Sequence, residues 1–179
     1  MNNFHVLVVH FPIALLSIYA VMEFVRWKVL NEKPYWFYLK AVFVVLGTIG
    51  AYVSVMFGDL IEDAIVAQKI ATVPNIRSII EMHSTFAGIT TTIFSFLAGA
   101  YIIAWIEKER PEMIERFLTR FPKLRFIISL KGFLLKSSVT VLLSLVGLIA
   151  VTITGAIGGG IVSGPDVDPI VTLVFHLLF

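Results

Sequence analysis

Histidine is the residue type in this chain best able to do metal or redox chemistry. There are four, His5, His10, His83 and His176, and no cysteine. Imidazole is the commonest nitrogen ligand for metals and haem iron. The missing cysteines exclude disulfides, iron–sulfur clusters, thiolate zinc sites and covalently attached c-type haem. Zinc or copper would suit several imidazoles, but such sites commonly add carboxylate or sulfur ligands and a tight sequence spacing. His5 and His10 open an apolar run that continues to about Val25. Histidine in such a run is rare, faces the interior of a helix bundle and marks a functional site by default.

The elements that would position these residues follow from composition. Of 179 residues, 58% are hydrophobic and 15% charged, with mean hydropathy +0.93; soluble domains carry about 25% charged residues. The formal charge of +2 is too small to suggest a nucleic-acid partner. Met1-Asn2-Asn3 lacks the basic start of a signal peptide, so the first apolar run reads as a retained span.

Four segments approach the roughly 20 apolar residues that cross a bilayer. They cover residues 4–27, 35–57, 76–106 and 132–156. Pro12 cannot donate a backbone bond to residue 8, so the first helix is expected to start near Val9 or to bend there. Tyr35-Trp36-Phe37-Tyr38 opens the second span as an interfacial aromatic belt. Gly47, Gly50, Ala51, Ser54 and Gly58 recur on one face of it; helix packing explains that stripe better than a slot for a flat ligand. A loop is expected from Asp59 to Pro74, with Asn75 capping the third helix. From His83, the same face of that helix carries Ala87, Thr90, Thr91 and Phe94.

Residues Glu107 to Leu130 are the most charged stretch. Pro111 suits a first helical turn, and Met113, Ile114, Phe117, Leu118 and Phe121 share one side of an amphipathic helix lying on a membrane surface. Gly158-Gly159-Gly160 is expected to break the fourth span, and no lysine follows it as a phosphate-binding loop requires. Residues 169–179 are apolar but too short to span, and are expected to fold back as an interfacial helix. The expected architecture is all-α: one domain over residues 1–179, an integral membrane four-helix bundle with a cytoplasmic amphipathic helix and a short C-terminal interfacial helix.

Charge orients the bundle. The first and third connections with their flanks hold twelve basic residues, whereas the second holds Lys69 and Arg77 and the C-terminal loop none. The positive-inside rule puts connections one and three in the cytoplasm and both termini outside. All four histidines then fall on the outer side. His10 and His83 are the natural axial pair for a haem, one from each of two helices at similar depth. His5 and His10 point about 140° apart on a regular helix and would not share one iron. His5 with His176 could hold a second haem or act as partners to the first. Arg77 is a candidate for a haem propionate, with a surface pair to Glu81 as the equal alternative. Asp59, Glu62 and Asp63 could accept quinol protons, but a solvated acidic loop explains them better. Apart from Glu23, the spans show almost no deep ionisable group, and so no path for a proton or ion.

The start of the chain resembles an uncharacterised bacterial four-helix membrane domain family whose members begin His-Pro-x-x-Val-His-Phe-Pro. His5, His10, Phe11 and Pro12 match; Val6 stands where the family has proline. The glycine-spaced second helix, the histidine opening the third and the Gly-Gly near the end of the fourth are also similar. The resemblance implies a b-type haem protein of the bacterial inner membrane, without an established reaction. The expected function is a membrane cytochrome b carrying electrons between the quinone pool and a periplasmic cytochrome or a larger respiratory complex, more an electron-transfer subunit than a stand-alone enzyme. It would hold one haem b, or two if His5 and His176 also ligate. A cofactor-free anchor or assembly subunit, and an outer-face metal-binding protein, are the alternatives.

Overall fold

A computed structural model of the chain describes residues 3–25, 30, 32–70, 73 and 75–179, with side chains from Val9 onward in the first helix. The described residues contain helices and no strand: α1 (Asn3–Phe24), α2 (Pro34–Lys69), α3 (Ile76–Glu109), α4 (Pro111–Arg120), α5 (Arg125–Leu134), α6 (Ser137–Ser163) and α7 (Pro169–Leu178). Among them α2, α3 and α6 are long and apolar enough to cross a membrane, while the described apolar part of α1 is the shorter Val9–Phe24. The chain is an all-helical protein of the multi-pass membrane type.

Helices α1 and α3 each pack against both α2 and α6, and meet each other through the side chains of Tyr19, Phe94 and Tyr101. The side chains fix direction. Glu23 meets Lys40, and Tyr52 meets Ser95, so α2 runs antiparallel to both α1 and α3. His83 lies beside Gly158 and Phe94 beside Gly147, which sets α6 antiparallel to α3. One end of the assembly therefore gathers the end of α1, the start of α2, the end of α3 and the charged helices α4 and α5. The other end gathers the starts of α1 and α3, the ends of α2 and α6, and α7.

Two cores hold these ends. Leu16, Tyr19, Val44, Phe94 and Leu97 are fully buried in the first, at mid-length. The second joins Val66, Ile76, Ile79, Ile157 and Val171 at the α7 end. Between membrane helices van der Waals fit drives association, so small residues at the crossings matter most. A methyl group built on Gly47 would fall 2.6 Å from Leu16 Cδ2, and one on Gly147 2.7 Å from Phe94 Cζ. The glycine stripe of α2 is thus used for helix packing: Leu15 and Leu16 cover Gly47, while Phe11 and Pro12 cover Gly50.

Several boundaries differ from the sequence expectation. Helix α1 begins at Asn3 and carries Pro12 inside it, rather than starting at Val9; the ring, buried, packs toward Gly50. The expected end of that span at Trp27, with Arg26 and Lys28, lies outside the described residues, as does Pro74. The Asp59–Pro74 loop is instead largely helix. Helix α2 continues to Lys69 because its acidic residues are interspersed with strong helix formers and Val66 is drawn into the second core. Its 36 residues extend about 54 Å, well beyond a hydrocarbon core of about 30 Å. Asn75 precedes α3, but in the left-handed conformation (φ 56°) and without a side-chain cap.

The run Gly158-Gly159-Gly160 does not break the fourth long helix. Helix α6 continues to Ser163 and ends at Gly164, whose φ of 99° suits glycine. The backbone cost of the glycines is offset by contacts that side chains there would crowd: His83 lies against Gly158 and Phe175 against Gly160. The expected span from Gly132 is split, with α5 closing at Leu134 and α6 opening at Ser137. Helix α4 forms as expected with Pro111 in its first turn. Its Met113 and Phe117, and Phe121 beyond it, are exposed, while Ile114 and Leu118 are half-buried. The tail forms α7, capped by Asp168, whose carboxylate accepts from Ile170 N at 2.8 Å and Val171 N at 3.0 Å.

Candidate functional site

Helix α3 carries His83 two turns in from its start. The imidazole is half-buried; its Nδ1 is fully enclosed, and its edge rests on α6 at Gly158. A Cβ built on Gly158 would stand 3.2 Å from His83 Cε1 and 3.6 Å from Nδ1. Glycine at 158 is what admits the ring. Ala87 is half-buried one turn further along α3, and Thr90 and Thr91 are buried beyond it.

His10 arrives at the same level on α1. Ile13 Cδ1 lies 3.6 Å from the Cβ position of Gly155, and α1 is antiparallel to α6. One turn before Ile13 therefore corresponds to one turn after Gly155, the level of Gly158 and His83. His10, Ile13 and Ser17 lie along one side of α1; His10 itself is exposed where the other two are half-buried. The side chain of His5 lies outside the described residues. His176 sits on the exposed side of α7, in an open groove with Asp166, Asp168 and Thr172, whereas Val171 and Phe175 take the side against α6. The described histidines thus share one end of the molecule as three separate positions. Among the described residues, no group of three or more histidine and acidic side chains is gathered closely enough to hold a metal ion.

Arg77 and Glu81 are both exposed near the start of α3, with no ion pair between them among the described residues. Asp59, Glu62 and Asp63 are exposed along the last third of α2, on helix rather than in a loop.

At the opposite end lies a polar cluster around Glu23, whose members sequence reasoning did not bring together. Glu23 is 8% exposed. It accepts from Lys40 Nζ at 3.0 Å and, on its other oxygen, from the hydroxyl of Tyr101 at 2.5 Å. Tyr19, fully buried, packs its ring edge-on to Tyr101 at 5.8 Å and to Phe94 at 6.1 Å. Ser144 of α6 is fully buried beside it. Glu23 is the ionisable group expected near the end of its span, and Lys40 of α2 meets it there. The legible signal was spacing: Tyr19 and Glu23 are four apart on one face of α1, and Lys40 falls in the apolar run of α2. Nearer the surface, Tyr38 donates to Glu109 and Lys131 pairs with Glu107.

No family model matches the chain, and no curated protein or solved structure matches it. The class of protein rests on fold and site alone: a multi-pass helical membrane protein with an imidazole-bearing end and a buried acid–base cluster at the other.

Proposed function

We propose that this chain is an integral membrane four-helix bundle of the b-type cytochrome class, built from α1, α2, α3 and α6. In this reading it carries electrons between the quinone pool and an extracytoplasmic redox partner, as a subunit of a larger respiratory complex in the bacterial inner membrane. The end with α4 and α5 faces the cytoplasm by its basic residues, and both termini lie outside. The resemblance of His5, His10, Phe11 and Pro12 to the family motif belongs to the same reading.

The observation that carries it is the pairing of levels: His83, set against the bare backbone of Gly158, and His10, one turn before Ile13, come from two different helices at one depth. Haem b fits the donor set. With Nδ1 of His83 turned toward α6, Nε2 would be the nitrogen that holds the iron, together with His10, and Arg77 would pair with a propionate. Bound there, haem supplies a one-electron carrier, and the chain's own part is to hold the two imidazoles and limit water around them. His5 and His176 are the residues of a second haem site, the weaker element of the proposal.

A reduced-minus-oxidised visible spectrum of the detergent-purified protein, with pyridine haemochrome quantification, tests this. A b-type spectrum that is lost in His83→Ala and in His10→Ala supports it. A colourless protein from haem-replete cells, or a full haem complement in both variants, overturns it. The second reading is a cofactor-free membrane anchor, favoured by the closed packing of Leu16, Tyr19, Phe94 and Leu97 at mid-length; it predicts no chromophore.

A further inference from the structure

The two short helices that follow α3 leave apolar faces outward. Along α4 and just past its end, Met113, Phe117 and Phe121 stand four apart and exposed. Along α5, Phe126, Leu130 and Phe133 share one side and are exposed as well. The other side of α5, with Ile127 and Leu134, is half-buried, and this helix packs on α3. Exposed apolar faces of this extent mark a surface that something else covers.

Charge and depth say what covers it. Arg116, Arg120, Lys123 and Arg125 are exposed, and among the described residues none of them makes an ion pair. From position 116 to position 165 the chain holds no acidic residue. Glu112 and Glu115 lie on the side of α4 away from Phe117, by helical spacing. The Arg120 guanidinium stands 5.9 Å from the centre of the Phe121 ring, so positive charge borders the apolar face directly. Depth comes from the end of α3, just before α4 begins. There Trp105 meets the Tyr38 ring edge-on at 5.3 Å, and Lys108 stands 4.7 Å from that ring. Tryptophan and tyrosine gather at the headgroup layer of a membrane, where their amphipathic rings are at home.

We propose that α4, α5 and the turn between them bind anionic phospholipid at the membrane surface. The phenylalanines enter the outer part of the acyl layer, as the apolar face of an interfacial helix does. Arg116, Arg120, Lys123 and Arg125 take the headgroup phosphates, which guanidinium can hold through two parallel hydrogen bonds. The inference rests on the membrane reading of the long helices and makes no use of haem, so a colourless protein leaves it standing.

The chain has no cysteine, so Phe117→Cys and Glu115→Cys each accept a single nitroxide label in the full-length protein. In nanodiscs of mixed phosphatidylcholine and phosphatidylglycerol, the label at 117 should be relaxed by oxygen dissolved in lipid. The label at 115 should be relaxed by a water-soluble nickel chelate. In native mass spectrometry from detergent, the unlabelled protein should retain phosphatidylglycerol over phosphatidylcholine. Arg120→Gln and Lys123→Gln, both at exposed positions, should each lower that preference about five-fold. A label at 117 as open to the nickel chelate as the one at 115 overturns the proposal and leaves this face to a protein partner. Equal retention of the two lipids, or a preference unchanged in both variants, overturns it too.

Discussion

Tyr101 and Glu23, 78 positions apart in the chain, share a hydrogen bond inside the protein, and Lys40 completes the carboxylate from a third helix. The contact ties α1, α2 and α3 together where apolar packing alone would let them slide.

Removing one member of this pair should be costly. Glu23→Ala leaves the Lys40 ammonium without its counter-charge, a loss of about 3–5 kcal/mol for a buried pair. Replacing both, as Glu23→Leu with Lys40→Met, should recover most of that stability, because two well-packed apolar side chains avoid the desolvation penalty. Thermal unfolding of the three proteins in one detergent checks this; a double variant no better than Glu23→Ala would contradict it.

Glycines at helix crossings should separate from glycines in open space. Gly47→Ala and Gly147→Ala push a methyl into Leu16 and Phe94, and overpacking of this kind costs about 1–3 kcal/mol. Gly58→Ala meets no atom within 4 Å and should be neutral, or stabilising by up to about 1 kcal/mol through helix propensity. Chemical or thermal denaturation of the set reads the contrast.

Gly158 should matter to His83 in particular. Gly158→Ala brings a methyl within 3.2 Å of the imidazole and should rotate or displace the ring. On the cytochrome reading, this changes the visible and low-temperature EPR spectra of the haem more than it changes Tm. His176→Ala, on the exposed side of α7, should leave the signal of the His83 haem unaltered and lose only that of the second haem.

The cap of α7 sets how firmly this helix is docked. Asp168→Ala removes the acceptor for two backbone N–H groups, worth about 1 kcal/mol. Faster hydrogen exchange confined to residues 169–178, with the long helices unchanged, is the expected result.

Much of the fold was legible in composition and spacing. Runs of apolar residues longer than a bilayer is thick can only be helices, since no other open element satisfies its backbone there. That argument located α2, α3 and α6, and Pro111 announced the short helix it opens. Local rules misread the places where a neighbour decides. Three successive glycines signal a break, yet α6 runs through them with His83 and Phe175 packed on Gly158 and Gly160. The acidic stretch after Phe57 looks like a solvated loop, yet Val66 joins a core supplied by α3, α6 and α7.

The cluster at the other end shows the same division most clearly. Sequence alone placed Glu23 near the end of a span and Lys40 just inside the next. That these two meet, that Tyr101 reaches them from a helix 78 positions away, and that Tyr19 and Ser144 lie buried beside them were decided by how four helices pack. The physical reason is that hydropathy and period fix which residues enter the membrane and in which direction each helix runs. Which polar groups become neighbours depends on the crossings, and those are set by the fit of particular side chains, such as Leu16 on Gly47 and Phe94 on Gly147.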